Sequence, residues 1–174
     1  MSAPSLAKTL EFARRRGISP WFAFGLAAVA LGLQVFLPTL VPTLSALNLP
    51  FLAAFYLVLA YRQVIPGMVA CLMIGWAQDG STHGPVGVYG LVYVALAYLG
   101  ATAGQFFKLE FAMVTGIFVA LAYWLHELIL FAIRGDFLLG QPAQWELGAW
   151  SALAGVHAGL ALVIYPVLDR WRRD

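Results

Sequence analysis

Gly75-Trp76-Ala77-Gln78-Asp79-Gly80-Ser81-Thr82-His83-Gly84-Pro85-Val86-Gly87 joins two apolar runs through a short polar corner, and the fold can be worked out from that corner. Counting back from Asp79 in helical steps of four gives Gly75, Cys71 and Gly67, so three small residues and one carboxylate share a helix face. Beyond the corner Gly84, Gly87 and Gly90 recur every third residue and give a second helix its own smooth strip. The pattern predicts two helices packed closely across glycine rather than a site of chemistry.

The 174-residue chain is 62% hydrophobic and 10% charged, whereas a soluble domain carries roughly 25% charged residues. That composition predicts an all-α polytopic integral membrane protein forming a single transmembrane domain over residues 1–174. Cys71 is the only cysteine and has no intrachain disulfide partner. No cofactor or metal motif is present, and nothing in the charge distribution points to nucleic acid.

The tail over residues 1–20 carries Lys8, Glu11 and Arg14 to Arg16 ahead of a first apolar run, residues 21–37, that is too long for a signal-peptide core. Residues 38–50 hold Pro38, Pro42 and Pro50 with no Lys or Arg, which predicts a loop at the far membrane face. Residues 51–61 and 64–78 are each shorter than the ~20 residues a span usually needs. Read as two spans, they leave nine of the ten Lys and Arg inside, with Arg134 alone outside. Read as one, they divide the basic residues almost evenly and strand Arg62 in lipid. The positive-inside rule therefore selects six transmembrane helices. The last three cover residues 86–103, 111–133 and 147–168, with a second cytoplasmic tail at 169–174. Both termini then face the cytoplasm, Trp21, Trp76, Trp145 and Trp171 fall near span ends, and residues 134–146 form the longest outer loop.

Asp79 has two readings: an ion or proton site, because acids within a membrane are expensive, or a helix-end acid capping the backbone of the Gly80 to Gly84 turn. His83 is its nearest titratable neighbour. His126 and Glu127 lie deeper, inside the fifth span, and adjacent residues on a helix point about 100° apart. They are therefore expected not to pair with each other, and Glu127 shares a face with Tyr123 and Arg134. His157 lies between Gly155 and Gly159, a spacing that predicts helix packing with the histidine hydrogen-bonded across the interface. Paired-histidine metal motifs, Cys-x-x-Cys pairs, phosphate loops and nucleophile elbows are missing, so no enzyme is expected.

Gly75-Trp-Ala-Gln-Asp79, then Gly84-Pro-Val-Gly87, then the apolar run 88–99 resemble the pattern of the rod-shape-determining protein MreD family, with Val86-Gly87 where that family often has Leu-Gly. The resemblance implies a non-enzymatic scaffold subunit of the bacterial inner membrane. Its implied partner is MreC, through that protein's transmembrane helix and adjoining periplasmic segment, and indirectly RodA, a class B penicillin-binding protein and MreB, with membrane lipid around it. The family is similar in fold to the substrate-binding subunits of energy-coupling-factor transporters, which supplies an alternative, a vitamin-binding subunit. For that alternative Ala23 and Ala27 would form a small-x-x-x-small coupling surface. The outer loops are nevertheless poor in the convergent polar groups a vitamin needs.

Overall fold

Leu49–Tyr61 is apolar on every side, and a helix of that kind is stable only when other elements surround it. In the computed structural model every residue from Pro50 to Val58 is buried, and the other helices are arranged around this short central one. The structure describes residues 18–61, 64–82, 85–106, 112–134 and 146–173. In chain order the elements are α1 (Pro20–Leu40), a 3-10 turn (Pro42–Ala46), the central α2 (Leu49–Tyr61), α3 (Val64–Thr82), α4 (Val88–Phe106), α5 (Ala112–Arg134) and α6 (Leu147–Arg173). Among the described residues there is no strand.

Glycine lets the neighbours of α2 come close. A Cβ at Gly67 of α3 would lie 3.7 Å from the Cα of Val58, and one at Gly100 of α4 would lie 3.1 Å from the Val58 side chain. Where α3 crosses α4 the approach is tighter: a Cβ at Gly75 would lie 2.6 Å from both the Cα and the N of Gly90. That crossing is therefore backbone on backbone through Gly75 and Gly90; Gly87, expected in the same strip, precedes α4, and a Cβ there would meet nothing within 4 Å. α6 reaches the centre through polar atoms, since the Tyr165 hydroxyl donates to the Leu52 carbonyl (3.0 Å) and Tyr56 donates to Asp169 (3.0 Å). Arg172 pairs with Asp169 at 3.4 Å and also donates to the Ala60 carbonyl at the end of α2.

Among the described residues three helices, α1, α5 and α6, are long and apolar enough to cross a membrane. Their outward faces carry Trp21, Phe24, Met113, Leu121 and Val163 in the open, as lipid-facing helices do. Most expected boundaries move by a few residues, and two of the shifts have a plain cause. α1 continues through Pro38 to Leu40, because a proline in the last turn costs only one backbone bond, and the Val41 N–H still reaches the Leu37 carbonyl at 2.9 Å. The basic residues expected in a tail after 168 instead extend α6 to Arg173, where cations complement the negative end of the helix dipole.

Candidate functional site

The first turn of a helix leaves backbone N–H groups without intrahelical partners, and α2 begins inside the bundle, where water cannot supply them. Its sequence and neighbours do so instead. Leu49 N–H donates to Gln34 Oε1 of α1 (2.9 Å), position 50 is a proline without an N–H, and Phe51 N–H donates to the side-chain oxygen of Asn48 (3.1 Å). Leu52 N–H reaches the Asn48 carbonyl at 3.3 Å. Asn48 is thus the N-cap of the central helix, and its remaining polar atoms organise a buried network.

The Asn48 side-chain oxygen also accepts from Gln78 Nε2 (3.2 Å) and lies 3.0 Å from the Tyr93 hydroxyl. Tyr93 also hydrogen-bonds Gln78 Oε1. On the other side the Asn48 amide nitrogen faces His126 Nε2 at 3.4 Å, and the Asn48 backbone N–H donates to His157 Nε2 at 3.0 Å. Both imidazoles therefore accept at Nε2 and carry their proton on Nδ1. His157 Nδ1 donates to the Leu153 carbonyl (2.7 Å), and His126 Nδ1 meets Glu127 Oε1 at 3.3 Å. Five helices converge here, since α3 supplies Gln78, α4 Tyr93, α5 His126 and α6 His157 around the head of α2. The rings also stack, with Tyr123 lying 4.1 Å from His157 and 5.7 Å from His126, centroid to centroid. Tyr89 stacks on His126 from α4 and carries the Arg134 guanidinium 5.0 Å from its ring centroid, a cation–π arrangement.

The expectation that His126 and Glu127 would not pair is overturned by that 3.3 Å contact. The 100° between their Cα–Cβ bonds is real, but two methylenes let the Glu127 carboxylate swing back to its neighbour's ring. Glu127 also shares a helix face with Tyr123, one turn earlier. The carboxylate is 22% exposed, against 1% for His126.

Asp79 is a cap, as one of its two readings held, though of a different element. Its carboxylate accepts from the N–H groups of Gly87 (2.9 Å), Tyr89 (2.9 Å) and Gly90 (3.3 Å), which open α4 beyond the Gly80 to Gly84 turn. Gly87 makes the approach possible with φ +100°, a conformation side chains resist. Gly84 and His83 lie outside the described residues. Gly67, Cys71, Gly75 and Asp79 are all buried on one face, as their spacing predicts, and the Cys71 thiol donates to the Ala54 carbonyl of α2 at 3.5 Å.

Gly155 and Gly159 do not line the interface that holds His157. A Cβ at either would meet nothing within 4 Å. Two residues along a helix is about 200°, so glycines flanking a buried histidine by two face away from what it touches. Ala23 is buried and Ala27 partly so, both against the bundle.

Asn48, Gln78, Tyr93 and Gln34 carry the site without having been singled out in the sequence, because uncharged polar residues give no signal in a loop or beside an acid. The polar atoms point at one another. The adjacent void among Phe51, Ala54, Cys71 and Leu96 is apolar and about 10 Å³, no more than one water needs. Among the described residues no group of three His, Cys, Asp or Glu is placed to hold a metal. The arrangement can fix helix ends and orient two buried imidazoles. Comparison of the chain with protein-family models, curated proteins and solved structures finds no match.

Proposed function

We propose that this chain is a six-span, non-enzymatic scaffold of the bacterial inner membrane, of the MreD kind, both termini cytoplasmic. It binds the transmembrane helix and adjoining periplasmic segment of MreC, and through MreC supports wall synthesis by RodA, a class B penicillin-binding protein and MreB. One observation carries the reading. Gly75, Asp79 and Gly87, on which the resemblance rests, act together as one fixture, a glycine crossing locked by a carboxylate that holds three N–H groups of the next helix. Residues that build a rigid hairpin are ones a scaffold needs, and Asp79 is occupied by backbone rather than available to an ion.

Six spans are supported by the charge count and by the setting of α2. Its 13 residues cover about 20 Å at ~1.5 Å each, less than the ~30 Å hydrocarbon core. Because protein surrounds it, its ends need not reach water. With the polar groups turned inward and an apolar exterior, the partner that fits is another apolar helix, and close packing governs such association in lipid. The open strip on α6 around Gly155 and Gly159 suits that contact better than the α3–α4 corner, whose glycines already pack on each other.

The test is affinity purification of the tagged chain from its native membrane in mild detergent, with mass-spectrometric identification of what accompanies it. MreC and other wall-elongation proteins are expected. Recovery of a transporter ATPase, or of a stoichiometric bound vitamin, would replace this reading with the transporter one.

A further inference from the structure

The two buried histidines are held by different kinds of partner. His157 is fixed by backbone at both ring nitrogens, accepting from the Asn48 N–H (3.0 Å) and facing the Leu153 carbonyl (2.7 Å). Neither group can reverse its polarity, so a proton added at His157 Nε2 would point at another N–H. His126 is fixed by side chains at both, the Asn48 amide (3.4 Å) and the Glu127 carboxylate (3.3 Å). An amide can reverse donor and acceptor by turning over.

We propose that His126 is a proton-binding site and that its proton unlatches the head of α2. A proton taken from water onto His126 Nε2 makes the ring a donor at both nitrogens. The new charge stays paired with Glu127, while the Nε2–H meets the Asn48 amide donor head on. Asn48 resolves the conflict by turning its oxygen to His126. That turn takes the oxygen away from Phe51 N–H, Gln78 Nε2 and the Tyr93 hydroxyl, the three donors it now faces. Gln78 can follow by turning its own amide, presenting Oε1 to Asn48 and Nε2 to Tyr93. Phe51 N–H and the Tyr93 proton then have only donors before them. The cap of the central helix is lost and its first turn loosens.

The sign follows from these contacts. The unlatched form binds the proton more tightly than the latched form, so lowering the pH favours unlatching. The other groups around His126 are Tyr123 and Glu127 on its own helix, Tyr89 and Tyr93 from α4, His157 from α6, and Asn48 and Phe51 from α2. α3 contributes Gln78 and, through the Tyr89 N–H, the Asp79 carboxylate. The charged groups nearby are Glu127, in contact with the ring, and Arg134, whose guanidinium lies 5.0 Å from the Tyr89 centroid.

The test is ¹⁵N NMR of the full chain in lipid nanodiscs, labelled at histidine, asparagine and phenylalanine, from about pH 8 to about pH 5, where histidine changes charge. The expected result is that His126 gains its second ring proton in this range, with the Asn48 side-chain amide and the Phe51 N–H shifting at the same midpoint, while His157 stays neutral. In Glu127→Gln, which removes the charge paired with the protonated ring, the coupled movement of the Asn48 amide and the Phe51 N–H should be much reduced over the same range. The wild-type titration decides the matter even if that variant fails to fold. His126 remaining neutral throughout, or titrating while Asn48 and Phe51 do not move, would overturn the proposal.

Discussion

A Cβ added at Gly75 would sit 2.6 Å from the backbone of Gly90, whereas one added at Gly155 or Gly159 would meet nothing within 4 Å. The two regions read alike in sequence, as small residues at helical spacing beside one polar residue. They differ in which side of the helix that polar residue occupies. In α3 the acid is in step with the glycines, four residues past Gly75, so the glycine face is the one the acid draws into the protein. In α6 the histidine is out of step with its glycines. The buried line there runs Trp150, Ala154, His157, Ala161 and Tyr165, and the glycine strip lies off it. Inside a membrane, where both faces of a helix are apolar, the polar residue marks the inward face more reliably than the small residues do.

Substitutions at the two strips should separate them sharply. The largest effect is expected at Gly75→Leu. The side chain meets backbone that cannot step aside, so the cost should reach or exceed ~3 kcal/mol, the upper part of the range for overpacking, read as loss of monodisperse protein or a collapse in thermal stability. Next comes Asp79→Ala, which leaves three N–H groups at the start of α4 without their acceptor. A single orphaned buried donor costs ~1–3 kcal/mol, and Asp79→Asn, which keeps one acceptor oxygen, should lose clearly less in the same unfolding measurement. If alanine and asparagine are equally damaging, the charge rather than the cap is what matters at Asp79.

Gly90→Ala should be milder than any change at Gly75, although it lies at the same crossing. Its Cβ would meet the Trp76 ring at 2.7 Å, and that ring is exposed on the outer face and can swing away. A loss of about 1 kcal/mol is expected, and a loss equal to that of Gly75→Leu would mean the crossing is symmetric after all. Gly155→Leu should change unfolding by no more than about 0.5 kcal/mol, as at other surface positions, while reducing recovery of the partner in affinity purification. A large loss of stability there would return the α6 glycines to the interior.

Much of this was legible in the sequence, and the illegible parts have physical reasons. Hydropathy and the ten basic residues outlined six helices, and their ends moved by a few residues where Pro38 proved tolerable and where the basic end of α6 stayed helical. The Gly67, Cys71, Gly75 and Asp79 face followed from periodicity alone. What periodicity could not give was a contact between residues far apart in the chain. Asn48 lies in a proline-rich connection and is 109 positions from His157, and nothing local announces that it caps the central helix. Tyr93 reads as one more apolar residue until Gln78 and Asn48 are seen beside its hydroxyl. Glu127 was misjudged because helix geometry fixes where a side chain starts and not how far it reaches.

The comparison comes to a point at the outer face of α6, where the scaffold reading requires another helix to dock. The direct measurement is photo-crosslinking in native membranes from a reactive residue at Val156, exposed beside the glycine strip, with Val86 at the α3–α4 corner as the contrasting position. The account predicts an adduct from Val156 with the transmembrane segment of MreC, lost when Gly159 is replaced by leucine, and little from Val86. Adducts of Val156 with lipid alone, or with the subunits of a transporter, would contradict it.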